Sequence, residues 1–424
     1  AQTFLPQVQP SPPPTAQPYR TGFGWSPSFS LVVPGTWASG YYSARLTGPK
    51  GEDWHIPFIV KPAPQARSRI ALLANTNTWN AYTAFGGASR YSIAPPAIPR
   101  FSFLRPGEHT SPLDATFSGS HLTRAELWIH GFLESNGYQP DVYTDADLHQ
   151  GSFLADYDVL VLGTHPEYWT LEMFDHLQAF LAAGGSLLYL GGNGIFEIVR
   201  YVDDGTALEF NGGDSTLPRS NFIFRHSLPA RRERSLLGVT TDSCGFSPGA
   251  AYGVLLPDHP LFAGMGLEAG DLIGDYGLNT GGVDGSYNGK ASGHETDNVA
   301  GPGATADAPC GIPGPTIPAQ APAPLPPGLE VLARAGSPQL PGSDLTYYRH
   351  PGGGIVLSVG SITFGGSLVV EPQLQQLVRN ALPEPQLAAS LAAGAALIAA
   401  WTGRRVRQRR PIRTLRNALR SSTN

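Results

Sequence analysis

A chain of 424 residues has length for two or three domains with full cores, and its 41% hydrophobic content excludes a disordered polymer. Only 14% of residues are charged and the net charge is −5, which argues against nucleic acid as the main partner; 51 glycines and 40 prolines fit long ordered loops better than a helical bundle. Cys244 and Cys310 are the only cysteines, so thiolate metal sites are excluded and at most one disulfide can form.

The chain opens at Ala1 with neither a basic nor an apolar leader, which reads as a processed product or a piece of a longer chain. A cytoplasmic protein is expected, with secretion after signal removal as the alternative. Residues 1–20 are proline-rich and predict an extended, polyproline-like lead. Over 21–66 the runs SFSLVV, SGYYSARLT and WHIPFIV, broken by PGTW and GPKGED, predict three strands of a small β-sandwich portion. An α/β portion over 67–382 begins with the buried-strand run Arg69–Asn75, and a long irregular loop follows it.

The spacing next predicts a helix over Thr123–Asn136 stopped by Gly137, and a short strand and turn in GYQPDVYTDADL. A central strand over Val159–Gly163 leads into a helix over Leu171–Ala183, and SLLYLGGNG gives a further strand. This alternation predicts a mostly parallel sheet flanked by helices. Between 201 and 327 the pattern is irregular and predicts long loops at one end of the sheet. The runs LEVLARA, DLTYYRH and GGIVLSVGSITFGG close the sheet, and LQQLVRNAL forms a last helix. Residues 383–424 hold the Ala-rich stretch Leu387–Trp401 and then eight arginines from Arg404 to Arg420. That stretch is shorter than the roughly 20 apolar residues of a membrane span. It predicts a helix packed on the domain or a partner, its basic end in solvent or on an anionic surface.

Candidate chemistry gathers at strand ends. The central strand runs into His165, Glu167 and Tyr168, and the strand over Arg69–Asn75 runs into Trp79, Asn80, Tyr82 and Tyr91. Adjacent parallel strands would bring these two loops together, where open α/β sheets bind their ligands. Phenols, a carboxylate and an imidazole form a hard, oxygen-rich set suited to a strongly Lewis-acidic cation, and tyrosinate points to ferric iron. Ordinary aromatic packing of Tyr82 and Tyr91 is the simpler alternative. Asn193 in GGNG is a turn former or an amide donor to an oxyanion, and Glu295 in SGHETDN is a loop carboxylate or a proton-transfer group. There is no G-x-S-x-G elbow, P-loop or dinucleotide fingerprint in the right context.

The succession VPGTWASGYYSARL…IPFIVKP, ANTNTWNAYTAFGGASRY, VLVLGTHPEYWT, GGSLLYLGGNGIFE, SGHETDN and GGIVLSVGSITF, from about Trp25 to Leu382, resembles the large subunit of N,N-dimethylformamidase and its relatives. The resemblance implies a class I glutamine-amidotransferase-like fold without that fold's cysteine nucleophile. It also implies a mononuclear non-haem Fe(III) centre, with Tyr82, Tyr91 and Glu167 as ligands and Tyr168 as the reserve for the second tyrosine. His165, Asn193 and Glu295 match the same family site as its catalytic groups. The substrate implied is a small amide or another linear C–N bond, and the partners implied are a small subunit or further copies of the chain. After GGNG this chain reads IFEIVRY, less aromatic and less basic than the family leads one to expect. A catalytically inactive binding or scaffold protein is therefore the alternative.

Overall fold

The computed structural model describes residues 9–64, 68–92, 100–116, 118–214, 216–217, 219–226, 231–241, 247–279, 289–299, 324–336 and 341–385. A nine-stranded sheet organises them. Its order is Leu272–Ile273, Tyr252–Val254, Glu330–Gly336, Pro341–Arg349, Ile355–Ser358, Ser186–Gly191, Val159–Thr164, Ile70–Ala74 and Asp141–Thr144. The half from Ile355–Ser358 to Asp141–Thr144 is parallel, and the half from Ile355–Ser358 to Leu272–Ile273 is antiparallel. Four smaller sheets are antiparallel and one is parallel.

The expected mostly parallel, class I glutamine-amidotransferase-like sheet is thus corrected to a mixed α/β fold in which antiparallel pairings outnumber parallel ones among the described strands. The physical reason lies in the connections. A parallel neighbour needs a crossover of a dozen residues or more, usually through a helix. Strand–helix alternation lasts only from Ile70 to Gly191. Between Gly336 and Pro341, and between Arg349 and Ile355, the chain is too short for a crossover and turns straight back.

IALLA, VLVLGT and SLLYLG are continuous apolar runs because these central strands are buried on both faces. Alternate residues serve opposite cores. Leu72, Val161 and Leu188 pack with Ile129, Phe132 and Phe364. On the other face Leu73, Leu160, Leu162 and Leu187 pack with Trp169, Phe174 and Leu177. The helix under this second face, Leu171–Ala182, starts where the Thr170 hydroxyl accepts from Met173 N at 3.2 Å and ends before Gly184 at φ 100°.

Elsewhere local expectation and structure differ. Where three sandwich strands are expected, the described residues hold one antiparallel hairpin, Gly40–Thr47 with Asp53–Val60, and SFSLVV makes no strand, leaving Val32 87% exposed. The proline-rich lead contains helical turns at Pro14–Ala16 and Pro18–Thr21, where proline's fixed φ suits a first helical position. The long loop after Ala74 begins with a helix, Thr76–Tyr82, and the short strand Asp141–Thr144 continues into the capped helix Asp145–Gln150. The irregular region contributes two strands to the sheet edge, Tyr252–Val254 and Leu272–Ile273. Cys244, Cys310, the Ala-rich stretch and the arginine tail lie outside the described residues. Among the described residues no helix is long and apolar enough to cross a membrane.

Candidate functional site

Parallel register sets the site. Leu73 pairs with Leu162 and Thr164 with Gly191, so three strands release their chains at one end of the sheet, into Asn75–Tyr82, His165–Glu167 and Gly192–Gly194. Thr164, Asn193, Ile195 and His294 all adopt left-handed backbone there, at φ 59°, 47°, 50° and 58°. Such strain in non-glycine residues is characteristic of functional sites. The helix Thr76–Tyr82 is fastened to the second loop through Thr78, whose hydroxyl donates to the His165 carbonyl at 2.8 Å and accepts from Glu167 N at 3.3 Å. Behind the helix, Glu126 accepts from Asn75 Nδ2 at 3.0 Å, Trp79 Nε1 at 2.8 Å and Tyr41 OH at 3.0 Å.

These constraints bring Tyr82, Tyr91, His165, Glu167, Tyr168, Asn193 and Glu295 into one cluster. His165 Nδ1 faces the Gly192 carbonyl at 3.2 Å, so its Nε2 points inward. From there Nε2 lies 3.1 Å from Tyr82 OH, 3.0 Å from Glu167 Oε2 and 3.2 Å from Glu295 Oε2. Tyr91 OH donates to Glu167 Oε2 at 2.7 Å and lies 2.6 Å from Tyr168 OH, so the reserve tyrosine borders the same oxygens. The Tyr82 and Tyr91 rings are 4.4 Å apart. Asn193 Nδ2 donates to Glu295 Oε2 at 3.0 Å, and its Oδ1 accepts from Thr241. Trp79 and Asn80 turn away from the cluster, toward Glu126 and Arg105.

Burial sets the electrostatics. It raises the hydroxyls of Tyr82, Tyr91 and Tyr168 well above the usual tyrosine range, and nearby carboxylates add to the effect. Burial also raises Glu295 to about 7, against the pull of His165. It opposes charge on His165 and Glu167 too, but there pairing wins: Glu295 and Glu167 hold the imidazole at about 9, and His165 and Arg219 hold Glu167 at about 2. The resulting site has ionised partners around phenols that keep their protons unless a cation takes their place.

Sequence reasoning missed Arg219, Glu197, Arg90 and His121, and it took His294 of SGHETDN to face solvent, where the structure buries it. Arg219 bridges Glu167 and Glu197, and Arg90 holds Glu197 from the other side. Arg90 adjoins Tyr91 in ASRY and could have been noticed, whereas Arg219 sits in a stretch without pattern. His121 packs against Tyr82 and His294, with ring centroids 5.1 and 5.2 Å away. Among the described residues no group of three or more His, Cys, Asp and Glu is placed to hold a metal.

A family model described as N,N-dimethylformamidase beta subunit-like, C-terminal, matches residues 2–377. The N,N-dimethylformamidase beta subunit of Paracoccus aminophilus is 25% identical, over 85% of this chain and 54% of that protein. The beta subunit of the same name from an Alcaligenes species is 27% identical, over 62% of this chain and 41% of that protein. The chain thus spans about half the length, or less, of these curated relatives. Among solved structures, a protein of Bacteroides uniformis described as ThuA-like aligns with 13% identity and a TM-score of 0.33, over 75% of this chain and 91% of that one. A score that low carries no structural argument.

Proposed function

The chain belongs to the N,N-dimethylformamidase beta subunit-like C-terminal family, and from that premise we propose that it holds the reaction centre of an amidohydrolase acting on a small non-peptide amide or another linear C–N bond, with Fe(III) as Lewis acid. The observation that carries this is the convergence of Tyr82, Tyr91 and Glu167 beside His165 at the carboxyl ends of the parallel strands.

The donor set fits such an ion. Tyr91 OH stands 2.7 Å from Glu167 Oε2, and Tyr82 OH and Glu167 Oε2 lie 3.1 and 3.0 Å from the same His165 nitrogen. Two phenolates and one carboxylate bring three negative charges, which a trivalent cation offsets, and only a strong Lewis acid would draw protons from phenols so buried. When bound, the ion would supply the polarisation that makes an amide carbon electrophilic.

This chain's own residues do the rest. Tyr82, Tyr91 and Glu167 would hold the ion. His165, fixed through Nδ1 on Gly192, and Glu295, oriented by Asn193, form a pair 3.2 Å apart that can hold a proton and deliver it to the departing amine. Asn193 is assigned to the tetrahedral oxyanion, which requires its amide to exchange Glu295 for substrate. The relatives are named beta subunits, so the proposal includes a partner subunit or further copies of this chain.

The test is a visible absorption spectrum with iron quantitation on protein purified without chelators. A broad tyrosinate-to-iron band is expected, lost together with iron and activity on small formamides in Tyr82→Phe and Glu167→Ala. A colourless protein that takes up no iron on reconstitution, or a fully active and iron-replete Glu167→Ala protein, would end the proposal.

A further inference from the structure

The two oxygens of Glu167 have different neighbours. Oε2 receives Tyr91 OH at 2.7 Å and lies 3.0 Å from His165 Nε2, whereas Oε1 accepts from Arg219 Nη2 at 3.0 Å. Arg219 does not sit there by chance of surface packing. Its Nε donates to Glu197 Oε2 at 2.6 Å, and its guanidinium lies 5.5 Å from the centre of the Phe196 ring. Glu197 is fully buried and receives Arg90 Nη2 on its other oxygen at 2.5 Å, while the same Arg90 nitrogen donates to Asn211 Oδ1 at 3.1 Å. The result is a buried chain of alternating charge, Arg90, Glu197, Arg219, Glu167, that ends on one oxygen of the carboxylate assigned to iron.

We propose that Arg219 is a positioning residue that occupies Glu167 Oε1 and so leaves Oε2 as the single carboxylate oxygen offered to the site. The inference rests on the reading of Glu167 as an iron ligand. A carboxylate with both oxygens free can bind a cation through either or both. A planar guanidinium held by two carboxylates takes one oxygen out of that competition and withdraws electron density from the other. It also stays charged at any working pH, so the arrangement is permanent. Lysine could pair with one carboxylate but would not span both in the same geometry.

Arg219→Gln, Arg219→Lys and, as a control that disturbs the same chain without touching Glu167, Arg90→Gln are each purified and loaded with ferric iron. The visible spectrum, iron stoichiometry, melting temperature of the metal-free protein, kcat and KM are measured. Arg219→Gln is expected to keep near-stoichiometric iron, to shift the tyrosinate band to higher energy as Glu167 becomes a stronger donor, and to lose at least tenfold in kcat with KM within about twofold of the parent. Arg219→Lys should recover part of the band shift, and Arg90→Gln should lower the melting temperature without moving the band. If Arg219→Gln does not fold, Arg219→Lys, which keeps the charge, must still show an altered band. An unshifted band in the folded Arg219 variants, with stability alone reduced, would make Arg219 purely structural and overturn the inference. A parent protein without iron or colour would instead overturn the reading of Glu167 on which it rests.

Discussion

Glu126→Gln separates burial from hydrogen bonding at the support of the site. Glu126 is 3% exposed, and burial pushes its carboxyl from about 4.5 up to about 7, although Trp79, Tyr41 and Asn75 all donate to it. The unfolded chain releases this proton near 4.5 and the folded chain only near 7, so the stabilisation is complete below about 4.5 and is lost as pH rises through about 7. At about 1.4 kcal/mol per tenfold in proton affinity, the loss is roughly 3 kcal/mol. Glutamine has no proton to lose. Its carbonyl can keep the Asn75 Nδ2 and Trp79 bonds, but its amide would face the Asn75 N–H that now points at Oε2 from 3.4 Å, at a cost of about 1 kcal/mol. The variant should therefore be about 1 kcal/mol less stable than the parent at pH 4 and roughly 2 kcal/mol more stable at pH 8. Urea unfolding at both pH values and constant ionic strength measures this, and the other titrating groups largely cancel in the difference. An equal deficit at both values would refute the reasoning.

Two further substitutions probe the site. Glu295→Gln leaves Tyr82, Tyr91 and Glu167 in place and removes a proton carrier, so iron content should persist while kcat falls by about 10²–10⁴; loss of iron with activity would show that Glu295 belongs among the ligands. A Cβ at Gly192 would stand 2.4 Å from the Glu295 carbonyl and 2.7 Å from Ile362 N, both backbone atoms that cannot step aside. Gly192→Ala should lower stability by roughly 1–3 kcal/mol in thermal melts and reduce turnover by displacing Glu295 from His165, and an unchanged protein would mean that this strand end is looser than described.

The central strands were legible because burial on both faces demands unbroken apolar runs, and IALLA, VLVLGT and SLLYLG have no other use for that composition. The helices at Thr123–Ser135 and Leu171–Ala182 were legible because apolar residues recur at helical spacing and glycines follow their ends, Gly137 for the first and Gly184 for the second. Strand direction was not. Tyr252–Val254 and Leu272–Ile273 are three and two residues long, too short for any period, and exist as strands only because Glu330–Gly336 offers an edge to Tyr252–Val254, which in turn offers one to Leu272–Ile273.

By itself, then, the sequence determined the elements whose signal is local: buried strands, capped helices and the order of motifs carrying Tyr82, Tyr91, His165, Glu167, Asn193 and Glu295. Tertiary structure alone decided that half of the main sheet runs antiparallel, and that Arg219 and Glu197 stand behind Glu167 although 52 and 30 residues separate them from it along the chain. The reason is that hydrophobic period and capping act within a few residues, whereas the partner of a buried charge is whichever opposite charge the folded chain brings within about 3 Å.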